Sequence, residues 1–492
     1  MRTALLPLDD RPYNLAYVAR LARIVGRELL VPPSDIVGTF FTPGRPAQCG
    51  RWLLELPDGV GTVIVALDML TCGGLLASRS EAIDEHEALE RLTDLERLRE
   101  ERPGLRVLVF DTIIRTSLSA RDMESRRVHR LLHRFTTLEG KLRVTPDAAT
   151  EAEYARVAGA IPSEVVNRYR AVRKRKHAVN RRAVELVAAG AVDVLHLLME
   201  DVGPEGDKYG IHKEEQDALR RLALELGVEG RVFLQNGTDE GACTLLARSV
   251  TADRGLEPRF AVRYSSPDGA GQVPTFEDRP FGENLASFVA AVGGRLTDTP
   301  AEADAVLAVH TPYGEPPDLA SFCDEIASLL DRAVPVALID TTTNQADLAL
   351  MMALGERVEL DGLSAYSAWN TACNSLGTAL AQIVLVVAAR GEPRSGETNR
   401  NLLLERLLDD YVYEGIVRPK VNEGLEREGV NPWDLAERAD EVRAQVAVEL
   451  AAEAKRTLEP HVAARFAFTV TLPWPRTFEP AIEARVLGVD RG

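Results

Sequence analysis

The chain has few of the residue patterns that mark several large protein classes. It holds five cysteines in 492 residues and no CxxC pair, which argues against a disulfide framework and against a thiolate zinc site. HxH and HExxH spacings are also absent, so the usual zinc motifs are missing. Neither a P-loop nor a GxGxxG after a strand is present, and we therefore expect no nucleotide cofactor.

Long apolar runs and excess positive charge are also lacking. The longest apolar candidate, 379–389, contains Gln382 and is too short to span a membrane. The net charge of −17 opposes approach to nucleic acid or to an anionic membrane. The first ten residues are typical of a strand rather than of a signal peptide. We expect a cytoplasmic protein that acts on a small-molecule or oligosaccharide substrate, with no nucleic acid and no membrane as partner; a homo-oligomer is left open.

Strand-like runs alternate with helical periodicity along most of the chain. This alternation predicts an α/β fold with a mainly parallel sheet. Polar residues end most of the runs, which favours a TIM-barrel-like sheet with additional α/β and helical C-terminal segments, although about ten strands are predicted where such a barrel has eight. The alternative is a pair of open-sheet α/β lobes with a cleft.

The predicted domain organisation follows the composition. Residues 1–255 form an α/β N-terminal region with a helical insertion at 119–189, residues 256–392 a second α/β region, and residues 398–492 a helical C-terminal region with a final strand. The insertion carries the basic cluster 168–177. A solvated helix face is its simplest interpretation, and a phosphate- or acid-binding insertion is the alternative.

The most informative stretch is 192–204, in which the apolar run 194–199 meets the adjacent acids Glu200 and Asp201 and then Gly203-Pro204. Such a run predicts a buried strand of a parallel sheet. Because carboxylates are costly to bury, they lie where a strand leaves the core, which is also where α/β enzymes place their sites. Two acids in one pocket can divide the acid and base roles that glycoside hydrolysis requires. Alternatively, one of them caps a helix or pairs with a cation.

Polar side chains follow the other predicted strands as well. We assign Asp68 to catalysis, since the pair Gly73-Gly74 beside it suggests close approach of the backbone to a ligand. The box that follows the last predicted strand of the second region contains Trp369, Asn370 and Asn374, and an indole together with neutral amides is typical of sugar recognition. The residues predicted to bind substrate are Asp9, Asp10, Arg11, Asp111, Asn236, His310, Asp340, Tyr366, Trp369, Asn370 and Asn374.

Each of these assignments has a structural alternative. One of the acids at the start of the chain can simply pair with Arg11, and His310 can be a core histidine satisfied by hydrogen bonds. Thr371 or Asn374 can cap the helix that follows.

Four sequence boxes resemble a bacterial family catalogued as domain of unknown function 4127. They are LPLDDRP at 6–12, the MED region at 199–201, WNTACNSLG at 369–377 and LPWPRTFE at 472–479. This resemblance spans nearly the whole chain and implies no activity.

The stretch LMEDVGP at 198–204 is also similar to the acid-pair strand of barrel hexosaminidases. That resemblance implies that Glu200 orients the substrate acetamido group as internal nucleophile and that Asp201 is the general acid/base. The chain departs from the pattern by having Glu in the first position.

Three functions are consistent with these features. The leading hypothesis is a carbohydrate-active hydrolase, a glycoside hydrolase with Glu200, Asp201 and Asp68 as chemical residues and with no metal and no cofactor. A non-catalytic sugar-binding sensor is another. The third is a magnesium- or manganese-dependent hydrolase or lyase, with ligands drawn from Asp9, Asp68, Asp111, Glu200 and His310.

Overall fold

The computed structural model describes residues 2–115, 123–203 and 210–489. Pro204 of the predicted turn and residues 119–122 of the predicted insertion lie outside these ranges. The chain forms two compact units. The first unit comprises Met1–Asp10, Leu29–Ala242 and Thr275–Arg279, and the second comprises Arg11–Glu28, Cys243–Pro274 and Pro280–Gly492.

The first unit is built on a six-stranded sheet with the order β2-β1-β3-β4-β5-β6. Neighbouring strands from β1 to β6 pair in parallel. Valine, isoleucine and leucine dominate the central strands and are buried there, as expected for strands covered on both faces. The strands are β1 Arg2–Leu6, β2 Glu28–Leu30, β3 Val60–Ala66, β4 Arg106–Ile113, β5 Val194–Met199 and β6 Val232–Asn236.

Helices connect these strands, because parallel neighbours require crossover connections. The long helices α8 to α10 also enclose a small core of their own around Phe135 and Tyr169. The helices up to β6 are α1 Ala16–Ile24 (in the second unit), α2 Ser34–Val37, α3 Pro46–Leu54, α4 Leu67–Cys72, α5 Leu75–Ser78, α6 Glu85–Arg91, α7 Thr93–Glu101, α8 Met123–Val144, α9 Ala148–Ala158, α10 Ser163–Ala188 and α11 Ile211–Glu225.

The second unit contains a five-stranded parallel sheet with the order β11-β10-β9-β7-β8. Its strands are β7 Arg259–Tyr264, β8 Arg295–Leu296, β9 Ala305–His310, β10 Val336–Asp340 and β11 Ala365–Ser367. In each sheet the second strand along the chain (β2 or β8) lies on one side of the first (β1 or β7), and all later strands lie on its other side. The switch points therefore lie between β1 and β3 and between β7 and β9.

Helices and an antiparallel hairpin complete the second unit. The hairpin is β12 Ala464–Thr471 with β13 Ala481–Val489. The helices are α12 Gly241–Arg254, α13 Phe281–Ala291, α14 Leu319–Asp331, α15 Leu348–Gly355, α16 Ala372–Ala388, α17 Ser395–Arg406, α18 Arg418–Arg427 and α19 Ala439–Glu453, with π-helical turns at Leu407–Val417 and Ala454–Leu458. Short 3₁₀ turns lie at Gly269–Gly271, Pro300–Glu302, Leu360–Gly362, Ala436–Arg438 and Glu459–His461.

The predicted α/β class with mainly parallel sheets is confirmed. Among the described strands neither sheet closes on itself, so their order follows the alternative of two open sheets. Within the same residues, no helix has both the length and the apolar character needed to cross a membrane.

Candidate functional site

The residues predicted to form the site are divided between the two units. Those in the first unit are Asp9, Asp10, Asp68, Asp111, Glu200, Asp201 and Asn236. Those in the second are Arg11, His310, Asp340, Tyr366, Trp369, Asn370 and Asn374.

Glu200 and Asp201 leave the end of β5 in two different environments. The Glu200 side chain is 4 % exposed, accepts a hydrogen bond from Arg79, and accepts a second from the backbone N–H of Arg115 at 3.2 Å. The Asp201 side chain is 46 % exposed and lies 3.3 Å from the Arg115 guanidinium. One acid is therefore buried and held, whereas its neighbour faces solvent.

Strand order explains how these four side chains meet. β4 pairs with β5, so Arg115, just beyond β4, reaches the residues just beyond β5. Arg79 follows α5, in the connection after β3. Burial, together with the nearby Arg79 guanidinium, lowers the pKa of Arg115. Two arginines and two carboxylates thus share this sheet edge, which suits it to bind a polar, hydrogen-bonding substrate.

Asp68 and Asp111 form a buried ionic cluster with Lys176 of α10. The Lys176 ammonium lies 2.6 Å from Asp68 Oδ1 and also contacts Asp111, and both carboxylates are fully buried. Asn180 donates to Asp111 Oδ2 at 2.6 Å. The backbone N–H and hydroxyl of Thr112 donate to Asp68 at 3.2 and 3.0 Å. A protein cation therefore neutralises this pair inside the core.

The electrostatics of this cluster differ between its two acids. Burial raises the pKa of Asp111 to about 7, although the Lys176 ammonium opposes the rise. Burial also raises the pKa of Asp68, but the ammonium and the hydrogen bonds outweigh it and hold that pKa below its usual value. In the described residues, no group of three or more His, Cys, Asp or Glu side chains is arranged to hold a metal ion.

The basic cluster on α10 is partly internal. Its interpretation as a solvated face is wrong for Arg173, Arg175 and Lys176, which are 1 to 3 % exposed, whereas the other basic residues of the cluster are exposed or half-buried. Arg173 pairs with Glu215 at 2.7 Å, and Arg175 donates to backbone carbonyls that include that of Ser80. The error has a physical cause. Residues 169, 173, 176 and 180 recur at helical spacing, so they share one face, and that face meets acids of the core.

The glycine pair and the acids after β1 have structural neighbours. Gly74 has φ +118°, and a Cβ on it would lie 3.2 Å from the Leu8 carbonyl oxygen. The close approach seen here is thus between two backbone segments of the protein. Asp10 accepts hydrogen bonds from the Thr39 hydroxyl at 2.7 Å and from the Phe40 N–H at 3.3 Å.

Asp9 and Asn236 are also buried at this sheet edge. Asp9 follows β1, and Asn236 is the last residue of β6.

In the second unit, His310 at the end of β9 bridges two side chains. Its Nδ1 lies 2.9 Å from Ser265 Oγ and its Nε2 lies 3.1 Å from Asp347 Oδ2. The hydrogen bond from His310 lowers the pKa of Asp347. Asp340, whose pKa is raised by burial, accepts the backbone N–H groups of Thr342 and Asp347 at 2.9 and 2.6 Å.

The aromatic and amide box is internal to the second unit. Trp369 is 1 % exposed and stacks on Tyr13, with ring centroids 3.6 Å apart. Asn370, at φ +58°, donates to Asn374 Oδ1 at 2.9 Å. Tyr366 is fully buried. In this structure the indole faces protein, so the predicted sugar-stacking role of Trp369 has no exposed ring face.

Sequence reasoning missed a buried charged cluster at the start of the π-helical segment. Asp410 accepts hydrogen bonds from the Ala368 N–H at 2.7 Å and from Arg406 at 3.0 Å, and burial raises its pKa to about 7. Arg406 also bonds to Asp409 and to the Tyr13 hydroxyl. The available signal was the run of acids among apolar residues, because such acids in a helix require partners.

The terminal boxes contribute to the second unit as well. Arg11 lies 3.3 Å from Glu479 Oε1, and its guanidinium stacks over Trp474. Arg11 is therefore paired with an acid from the far end of the chain, Glu479, which sequence reasoning did not consider.

Comparison with known proteins places the chain in a family. The sequence model of the family described as "Protein of unknown function (DUF4127)" matches residues 3–483. No curated protein and no solved structure matches the chain. The matched region includes all four boxes and all the clusters described above, and the chain therefore belongs to the DUF4127 family.

Proposed function

We propose that this protein is a carbohydrate-active hydrolase of the glycoside hydrolase type, with its reaction centre at the exit of β5. The observation that carries the proposal is the division of environment between two adjacent carboxylates. Glu200 is buried and ion-paired, whereas Asp201 is half exposed. Glycoside hydrolysis uses two acids with distinct roles, and unequal surroundings are the physical means of separating those roles.

Glu200 suits the role of a positioning carboxylate. Arg79 and the backbone N–H of Arg115 fix its two oxygens, so it can hold a substrate group in one orientation with little loss of entropy. The hexosaminidase-like pattern assigns this position to the acetamido group of an N-acetylated sugar, and an anchored carboxylate supports that assignment.

Asp201 suits the role of general acid/base. Its carboxylate reaches solvent, and its contact with Arg115 is a long one at 3.3 Å, which a bound substrate can replace. As acid it would donate a proton to the leaving glycosidic oxygen, and as base it would then accept a proton from the attacking water.

Asp68 has no chemical role in this proposal, because its carboxylate is committed to Lys176 and Thr112. The same contact weakens the metal-dependent alternative. Two of its predicted ligands, Asp68 and Asp111, already share a buried ammonium, which competes directly with a divalent cation.

Turnover of a panel of 4-nitrophenyl glycosides tests the proposal, with an N-acetylglucosaminide and the matched glucoside in the panel. We expect Asp201→Asn to lower kcat by about 10²–10⁴-fold, which is the usual worth of a general acid/base. Glu200→Gln should remove the preference for the N-acetylated substrate. Asp217→Asn is the matched control, since Asp217 pairs with Lys213 on the surface of α11.

Two results would contradict the proposal. One is turnover that Asp201→Asn and Asp217→Asn lower equally. The other is saturable sugar binding with no turnover of any glycoside, which would instead support the sugar-binding sensor.

A further inference from the structure

The second sheet has its own position where a ligand site is expected. In open parallel sheets, ligands bind beyond the carboxyl ends of the two strands at which the order of connection reverses. In the second unit these strands are β7 and β9. Ser265 is the first residue after β7, and His310 is the last residue of β9.

A serine, a histidine and an aspartate are connected at that position. Ser265 Oγ lies 2.9 Å from His310 Nδ1, and His310 Nε2 lies 3.1 Å from Asp347 Oδ2. The Asp347 carboxylate can only accept, so it selects the tautomer with hydrogen on Nε2. Nδ1 is then left free to accept the Ser265 proton. This is the arrangement of an activated nucleophile: a hydroxyl, a base within hydrogen-bond reach, and a third group that orients the base.

We propose that Ser265, His310 and Asp347 form a second catalytic site, which hydrolyses small carboxylic esters. Ser265 Oγ attacks the ester carbonyl carbon while its proton passes to His310 Nδ1. The C–O bond to the alcohol breaks, and the alcohol leaves with that proton. Water, deprotonated by the same nitrogen, then attacks the acyl-serine, and the carboxylic acid and the free hydroxyl are released.

Thr311 supplies a donor for the developing oxyanion. Its backbone N–H points at Ser265 Oγ from 3.2 Å, which places the residue beside the nucleophile. Its hydroxyl is fully buried and has no hydrogen-bond partner in the described part of the chain. A buried hydroxyl without a partner, on the residue whose N–H contacts the nucleophile, is suited to donate to negative charge on the substrate oxygen.

Burial sets the size of the substrate. Ser265 is 4 % exposed and His310 is fully buried, whereas the Asp347 side chain is 26 % exposed. Because access to the serine and the histidine is this limited, the substrate we propose is an ester with a short acyl group, such as acetyl. The proposal is independent of the glycoside hydrolase assignment, because it uses other residues in the other unit.

Labelling of the full-length protein with a small fluorophosphonate tests the proposal. Attack by Ser265 forms an O–P bond and releases fluoride, and peptide mass spectrometry locates the adduct. We expect the adduct on Ser265, together with hydrolysis of 4-nitrophenyl acetate. Ser265→Ala should abolish both signals, and Asp347→Asn should slow labelling by about 10²–10⁴-fold. Thr311→Val should lower kcat for the acetate by about 10²–10³-fold.

Ser266→Ala is the matched control. Ser266 is the adjacent buried serine, but its hydroxyl donates to the Thr311 carbonyl instead of to the histidine. This variant should label at the rate of the unsubstituted protein. An adduct on any other residue, or no adduct under conditions that label a known serine esterase, would overturn the proposal. Because the adduct is located on the unsubstituted protein, this outcome does not depend on whether the variants fold.

Discussion

Replacing Lys176 with methionine tests the buried cluster of the first unit. The change keeps an unbranched apolar side chain of about the length of the lysine stem but removes the ammonium that contacts Asp68 and Asp111. Removing one partner of a buried ion pair typically costs about 3–5 kcal/mol, because an uncompensated charge stays in the core. Although the ammonium has two carboxylate partners, we expect the free energy of unfolding to fall by an amount within this range and not by twice that amount. Asp111, with its pKa at about 7, can take up a proton near neutral pH, and Asp68 keeps its bonds from Thr112.

Urea unfolding followed by circular dichroism measures the loss. Hydrogen exchange of peptides from α10 assigns it to the first unit, which matters because a chain with two units need not unfold in one step. Lys174→Met is the control. Lys174 is two residues away on the same helix, is 77 % exposed and pairs with the surface residue Glu85. It should be indistinguishable from the unsubstituted protein.

A charge-free variant distinguishes electrostatics from packing. Adding Asp68→Asn and Asp111→Asn to Lys176→Met removes all three charges and should recover most of the lost stability. If Lys176→Met alone stays within about 1 kcal/mol of the unsubstituted protein, the contacts of the Lys176 ammonium do not stabilise the fold.

Three further predictions concern stability. Burial raises the pKa of Asp111 and Asp410 from 3.8 to about 7, so the folded chain keeps protons that the unfolded chain has released. The free energy of unfolding should therefore fall as the pH rises from about 4 through 7. Urea titrations at pH 5.5 and 7.5 measure it, and an equal or higher free energy of unfolding at pH 7.5 would disprove the prediction. Arg406→Met leaves Asp409 and Asp410 without their guanidinium and should cost about 3–5 kcal/mol in the same titration, whereas Arg406→Lys should recover part of the loss. Gly74→Ala forces φ +118° on an alanine and crowds a carbonyl oxygen, so thermal unfolding should show a loss above about 1 kcal/mol; an unchanged melting temperature would contradict this.

The strands could be predicted from the sequence because local patterns suffice for them. The apolar run ending at Glu200 is β5, and the runs ending at His310 and Asp340 are β9 and β10. Each strand is buried on both faces, so its hydrophobicity is nearly continuous and its polar end is easy to recognise.

The partners of the strand-end residues could not be predicted, because they come from distant parts of the chain. The sequence predicts a catalytic role for Asp68, and only the fold shows that Lys176, 108 residues later, contacts it. Ser265 is a serine in a turn with no distinctive context, and only the pairing of β7 with β9 brings it to His310. Conversely, a tryptophan beside two asparagines predicts an exposed ring on which a sugar can stack, but the Tyr13 ring stacks on Trp369 instead.

A leaving-group series tests the central claim most directly. If Asp201 protonates the leaving oxygen, Asp201→Asn should lower kcat/KM strongly for aryl glycosides with poor leaving groups, such as phenyl. The loss should be small for 2,4-dinitrophenyl glycosides, whose leaving group needs no proton. Equal losses across the series would contradict an acid at this position and the reaction centre proposed at the exit of β5.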